Sequence, residues 1–282
     1  MGGVRMPTDD LMEQVKEYFT EGDYFNDKGE LVCGKCGQNK DFIYAGERFR
    51  KPCACDEDER MKEYEAMVKE QARKQAEVLR KTWIASPSLR ELTFDKDDGQ
   101  APEVTKMCWQ YVEHFPEFYE KNIGAMLRGG VGTGKTFFAC CIANELINRG
   151  YTVYVTSMPE ILTYMAVGEE RRHVMDKVLM ADLLVLDDWG VERDTSYAVE
   201  QVYYVIDSRL KVDKPMLITT NLSEEDLHSA PSLSLQRIYD RVLEVCPFII
   251  EINTGSRRPQ SADKKRKQLF QILGKGIDKH NI

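Results

Sequence analysis

The sequence lacks several things that would have fixed its class at once. No apolar run approaches the ~18–20 residues that a membrane-spanning helix needs, so no membrane role is expected. The opening residues, MGGVRMPTDD, hold no apolar secretory core, and position 6 is Met where a myristoylation pattern requires Ser or Thr. A cytoplasmic location is therefore the expectation. Positive charge is also short. With 39 Lys and Arg against 47 Asp and Glu, the net charge of −8 excludes a protein coated for nucleic acid and leaves only a local basic surface. There is one such stretch: from Ser256 onward eight Lys and Arg face only Asp263 and Asp278. No internal repeat is visible. Disulfides are not expected without a secretory signal, so the eight cysteines, four of them paired at short spacing, read better as metal ligands.

The 282 residues suffice for one large domain and a smaller module. A short helical pattern, DDLMEQVKEYF, is followed by turn-rich GDYFNDKGE and then by clustered cysteines over residues 33–55. Residues 57–84 contain no Gly or Pro and many charges of both signs, as in an exposed linker helix. From residue 85, short apolar strands alternate with helices, the pattern of a parallel sheet covered on both faces. The strands are GAMLRG, YTVYVT, DLLVLD, KPMLITTN and PFIIEI. The expected organisation is an N-terminal module (1–56), a charged helix (57–84), an α/β nucleotide-binding domain (85–258) and a basic tail (259–282).

Between the first of those strands and its helix lies GGVGTGKT, Gly129 to Thr136, which fits G-x-x-x-x-G-K-[ST]. Gly130, Gly132 and Gly134 let the backbone turn tightly and aim successive N–H groups at an anion; Val131 and Thr133 complete the loop. The following helix adds its positive dipole end. Lys135 is expected to neutralise β- and γ-phosphate charge, and Thr136 to give its hydroxyl to Mg²⁺. Such a loop needs an acid at the end of a neighbouring strand, and LLVLDD supplies Asp187 for the metal. Strand alternation points Asp188 the other way, beside the γ-phosphate, either as general base for the attacking water or only to position that water. Asn221, ending ITTN, is placed to bond the γ-phosphate or the water; the following helix already has Ser223 as its cap, with Asp226 at the third position. Arg237 and Arg241 in QRIYDRV share a helix face, and one of them is a candidate arginine finger for a neighbouring subunit.

Taken in order, LTFDKDD, LRGGVGTGKTFFACCIANEL, LLVLDDWGVE, IDSRLKVDKPMLITTNL, RIYDRV and TGSRRP resemble the AAA+ ATPase domain of DnaC/DnaI-type replicative helicase loaders, over residues ~89–258. The resemblance implies ATP and Mg²⁺ as ligands, Asn221 as sensor I, an arginine finger at Arg241 and a sensor II arginine at Arg258. It also implies a replicative hexameric helicase as partner, single-stranded DNA as the loading site, and self-association in the ATP-bound form. Loaders of this type often carry a zinc-bearing N-terminal domain that contacts the helicase. Here CGKCG offers Cys33 and Cys36, and PCAC offers Cys53 and Cys55, enough thiolates for a tetrahedral Zn²⁺ site; the C-x-C pair is tighter than the usual C-x₂-C. Cys108, Cys140, Cys141 and Cys246 sit in apolar stretches and are expected in the core.

Two other functions compete with loading. An IstB-type transposition ATPase shares the ATPase core and coats duplex DNA, but usually has Asp-Glu where this chain has Asp187-Asp188. A zinc adaptor that only senses ATP would need neither Asp188 nor Asn221. The basic stretch beyond residue 258 is either a DNA-contacting surface or a solubilising tail.

Overall fold

The computed structural model describes residues 19–190 and 195–273. The helix expected from DDLMEQVKEYF falls almost wholly on residues 1–18, outside the described residues. The chain divides into two compact units, one ending at Ala72 and the other beginning at Arg73.

In the first unit two short antiparallel ribbons form, β1 (Tyr24–Phe25) with β2 (Leu31–Val32), and β3 (Asp41–Tyr44) with β4 (Glu47–Arg50). Helix α1 (Ala54–Trp83) follows and runs across the unit boundary. Among the described residues of this unit, the fully buried cation is Lys40, whose Nζ lies 2.6 Å from Asp23 and 2.8 Å from Asp56. Burial alone would raise the Asp23 carboxyl; the hydrogen bonds from Lys40, from the N–H and hydroxyl of Thr20 and from the Gly34 N–H together outweigh it and hold the pKa down at about 2.

The second unit is built on five parallel strands in the order β6–β7–β8–β5–β9. They are β5 (Ala125–Gly129), β6 (Val153–Ser157), β7 (Leu183–Trp189), β8 (Met216–Thr220) and β9 (Phe248–Ile252). The helices are α2 (Pro87–Arg90), α3 (Pro102–Glu113), α4 (Phe115–Glu120), α5 (Lys135–Asn148), α6 (Met158–Met165), α7 (Gly168–Met180), α8 (Ser196–Leu210), α9 (Glu224–His228), α10 (Leu233–Val245) and α11 (Arg258–Leu273). Alternate residues of each strand serve opposite layers. Leu183 and Val185 pack with α3 and α5 on one face; Leu184 and Leu186 pack with α6, α7, α8 and α10 on the other. That double burial is why the strands read as unbroken apolar runs. Cys108, Cys140, Cys141 and Cys246 are buried, as expected of core thiols.

Three details differ from expectation. The acid-bearing strand β7 does not neighbour the phosphate-loop strand β5, because β8 lies between them. Helix α1 is not simply exposed: Ala76 is buried, and Leu79 packs against the first of the two layers. The basic stretch after residue 257 is helical through Leu273, as α11. Among the described residues, no helix is long and apolar enough to cross a membrane.

Candidate ATP site and cysteine cluster

Strand β5 ends at Gly129 and helix α5 begins at Lys135, so the intervening loop turns from sheet to helix at the carboxyl edge of the strands. Gly132 and Gly134 hold φ of 82° and 103°, a region that side chains rarely enter. No side chain caps α5, which leaves its N-terminus to a ligand. Thr133 Oγ1 donates to the Gly130 carbonyl at 3.0 Å and braces the loop from within. Lys135 is buried, and its Nζ donates to the carbonyls of Gly129 (2.9 Å) and Gly130 (2.8 Å) and to Asn221 Oδ1 (2.6 Å). The ammonium and the Asn221 amide thus share the mouth of the loop. Ser223 and Asp226 form a reciprocal capping box on α9, so Asn221 is not needed as a cap.

The acidic side of the site is reached across the sheet. Thr136, on the first turn of α5, donates from Oγ1 to the Asp187 carboxylate at 3.0 Å, although β8 separates β5 from β7. The crossing helix, rather than strand adjacency, brings the two together. Burial raises the Asp187 carboxyl, and the hydroxyls of Thr219 and Thr136 oppose that shift. Asp188 is exposed and has φ of 52°. Simple alternation at this strand end is therefore broken: the β7–β8 register slips between Leu186 and Trp189.

The arginines expected at the site separate into three cases. Arg241 pairs with Asp207 and lies over the Tyr203 ring at 4.9 Å, contacts within α8 and α10. Arg237 is exposed and lines a cavity of 480 Å³ with Ser196, Glu200 and Tyr203. Neither shares a described contact with the phosphate loop. Arg258 opens α11, and its side chain lies outside the described residues. Its neighbour in GSRR, Arg257, is an arginine that the structure does describe at the loop. Its N–H donates to the Gly132 carbonyl at 2.8 Å. Its guanidinium lies over the Phe138 ring at 5.4 Å and 3.1 Å from Asp98, and a Cβ on Gly134 would stand 3.5 Å from it. Nε and Nη2 of Arg257 are buried without a hydrogen-bond partner. Two orphaned donors beside an uncapped helix N-terminus fit an acceptor-rich ligand such as a nucleotide. A hint was present in the doubled arginine of GSRR.

In the first unit the Sγ atoms of Cys33, Cys36, Cys53 and Cys55 all lie within 4.8 Å of one another. Sulfurs bound tetrahedrally at about 2.3 Å would be about 3.8 Å apart, so the cluster fits a Cys₄ metal site that includes both members of the C-x-C pair. The Gln38 backbone N–H lowers the Cys36 thiol to about 7, while burial pushes Cys53 up to about 12.

Comparison with known proteins agrees with this geometry. The family profile described as "IstB-like ATP binding protein" matches residues 61–268. The replicative helicase loader DnaI of Bacillus subtilis is 30% identical over 174 residues, 58% of this chain and 55% of that protein. The replicative helicase loader DnaC of Escherichia coli K12 is 29% identical over 151 residues, 51% of this chain and 58% of that protein. The chain thus matches little more than half the length of these curated relatives. A crystal structure of the DnaC helicase loader superposes with a TM-score of 0.51 at 24% identity, covering 60% of this chain and all of that one, which establishes the α/β fold of the second unit. With its phosphate loop and acidic strand end placed as described, the chain belongs to the family of IstB-like ATP binding proteins.

Proposed function

We propose that this chain is an ATPase that loads a replicative ring helicase onto single-stranded DNA. The observation that carries the enzymatic part is the meeting of Lys135, Asn221, Thr136 and Asp187 around one loop mouth, with Asp188 at the adjoining strand end. In this reading Lys135 leaves the loop carbonyls for β- and γ-phosphate oxygens, and Asn221 turns its amide to the γ-phosphate or to water. Thr136 and Asp187 would hold Mg²⁺, which when bound supplies countercharge on the β- and γ-oxygens. Asp188 takes a proton as the water oxygen forms its bond to the γ-phosphorus and the bond to the β-phosphate bridge breaks, releasing ADP. An arginine from a second copy would complete the site; Arg241 can serve only by leaving Asp207, whereas Arg237 has no such described bond to break.

The loading role rests on the two loader relatives and on the cysteine cluster that precedes the ATPase unit in the sequence. Zn²⁺ at Cys33, Cys36, Cys53 and Cys55 would fix the module that meets the helicase. A cytoplasmic setting follows from that role. Asp188→Asn is the test of the chemistry: Mg-ATP should still bind while turnover falls steeply, and parent turnover would remove Asp188 as the base. Retention of a hexameric helicase from native cells by the full chain tests the partner. The family assignment keeps a second reading in view, a transposition ATPase, which a strong preference for duplex over single-stranded DNA would favour.

A further inference from the structure

At the end of β7 the ladder to β8 breaks. Leu186 faces Ile218 and Trp189 faces Thr220, so Asp187 and Asp188 together oppose Thr219 alone. This is a bulge, one residue more on one strand than on the other. The extra residue brings the left-handed backbone of Asp188, φ 52°, a conformation costly for most side chains and tolerated best by Asp and Asn after Gly. Something must hold it there.

The Thr219 side chain is placed to do so. It is fully buried, and its Oγ1 accepts the Asp188 N–H at 2.8 Å while donating to Asp187 Oδ1 at 2.7 Å. An N–H can only donate and an ionised carboxylate can only accept, so both directions are fixed. One hydroxyl therefore sets the backbone of the second aspartate and the carboxylate of the first. Thr220 closes the other side of the bulge, donating from Oγ1 to the Trp189 carbonyl at 2.8 Å and accepting the Leu222 N–H at 3.1 Å. Trp189 is itself buried, edge-on to Tyr239 at 5.1 Å.

The geometry points to Thr219 as a positioning residue that locks the metal-side and water-side aspartates into one register, its hydroxyl doing for the bulge what a strand carbonyl does in a regular ladder. The assignment rests on the proposed ATPase reading and adds to it a residue that touches neither nucleotide nor water. The Thr219 bond to Asp187 is separate from that of Thr136, so it would keep the Asp187 carboxylate aimed if Thr136 gave its hydroxyl to Mg²⁺.

The test uses the full chain with Thr219→Val, which keeps the shape and removes the hydroxyl, and Thr219→Ser, which keeps the hydroxyl and removes the methyl. Affinity for a fluorescent ATP analogue is measured with Mg²⁺ and with chelator, beside turnover. The valine variant should match the parent in chelator, because the loop and Lys135 are intact. It should lose about tenfold or more of the Mg²⁺-dependent gain or of turnover, as metal sites do when an outer partner is removed. The serine variant should stay close to the parent in both. An undiminished Mg²⁺ effect and turnover in Thr219→Val, or equal damage from serine and valine, overturns the assignment and leaves Thr219 a packing residue. If valine prevents folding, Thr219→Cys, of similar size with a weak donor, takes its place with the same expectation. A parent protein with no Mg²⁺-dependent nucleotide binding would defeat the ATPase reading itself, an outcome distinct from either variant result.

Discussion

Up to Ala72 the buried apolar side chains, among the described residues, are Leu31 and Val32 together with the thiols of Cys33 and Cys53. From Arg73 onward both faces of a five-stranded sheet are sealed by helices, and whole strands such as Met216–Thr220 are buried. At about 25 cal/mol per Å² of apolar surface, the second unit can be held by burial alone. The first cannot, since a module of that size has too little interior. Among its described residues the interior is instead polar: the Lys40–Asp23–Asp56 triad and four convergent sulfurs. Each unit should therefore fail for a different reason, and each failure should leave the other standing.

The largest effect is expected from removing the zinc proposed at Cys33, Cys36, Cys53 and Cys55. Structural zinc in small domains contributes on the order of 10 kcal/mol or more, far above what Leu31 and Val32 provide. Chelation, or Cys33→Ser, should strip amide-exchange protection from residues 19–53 while strands β5 to β9 keep theirs. Metal analysis should find one zinc per chain. Protein with no metal, or with iron and visible absorption, would break the contrast between a metal-held unit and an apolar-held one.

Lys135→Ala reverses the comparison. It should abolish turnover and badly weaken nucleotide binding, because the main phosphate countercharge is gone. The cysteine module should be untouched, with its zinc content unchanged. Residual binding near the parent level would mean that Arg257 and the helix N-terminus supply most of the phosphate affinity.

The two units were also unequally legible in the sequence. Alternation of apolar strands with helices, and a phosphate loop at the first junction, are local patterns, and the sheet follows them. The four cysteines were legible for the same reason, as ligand spacing is carried by the residues themselves. What escaped was the relation between strands. Strand order is a tertiary fact, so β8 lying between β5 and β7 could not be read from LLVLDD. The bulge at Asp188 is set by Thr219 and Thr220 on another strand, which hid the role of the first Thr in ITTN beside the more conspicuous Asn221. Arg257 was passed over for Arg258 because nothing in the doubled arginine of GSRR shows which of the two bonds its backbone to Gly132 and lays its guanidinium beside Gly134. The Lys40 triad spans residues 23, 40 and 56, a spacing with no local signature.

That triad gives an intermediate test. Lys40→Met keeps the aliphatic stem but leaves the buried Asp23 carboxylate without its cation. Breaking one partner of a buried pair costs about 3–5 kcal/mol, enough to unfold a small module yet less than losing the metal. The expected signature is weakened zinc retention and faster exchange in residues 19–53, with ATP turnover unchanged. A Lys40→Met protein as resistant to chelator as its parent would show that the sulfurs suffice without the ion triad.

The smallest effect is expected at α11, where the surface is basic in an otherwise acidic chain. Lys265, Arg266 and Lys267 are exposed on this helix, and consecutive residues on a helix are spread around its axis, so only part of the positive charge can track one strand. Binding through such a surface should be weak, indifferent to sequence and steeply salt-dependent, since each neutralised phosphate of a single strand contributes about 0.7 to the slope of log affinity against log salt. Changing Lys264, Lys265, Arg266 and Lys267 to Ala should lower single-strand affinity and flatten that slope by at most about 3, with Arg258 left intact for its candidate place in the ATP site. Arg257, the residue before α11, is bonded to the loop at Gly132; if that contact passes a change at the phosphates to the helix, binding should be stronger with ATP than with ADP. A quadruple variant with the parent slope and affinity would reduce α11 to a solubilising surface, while nucleotide-independent binding that still falls in the variant would separate the DNA surface from the ATP site.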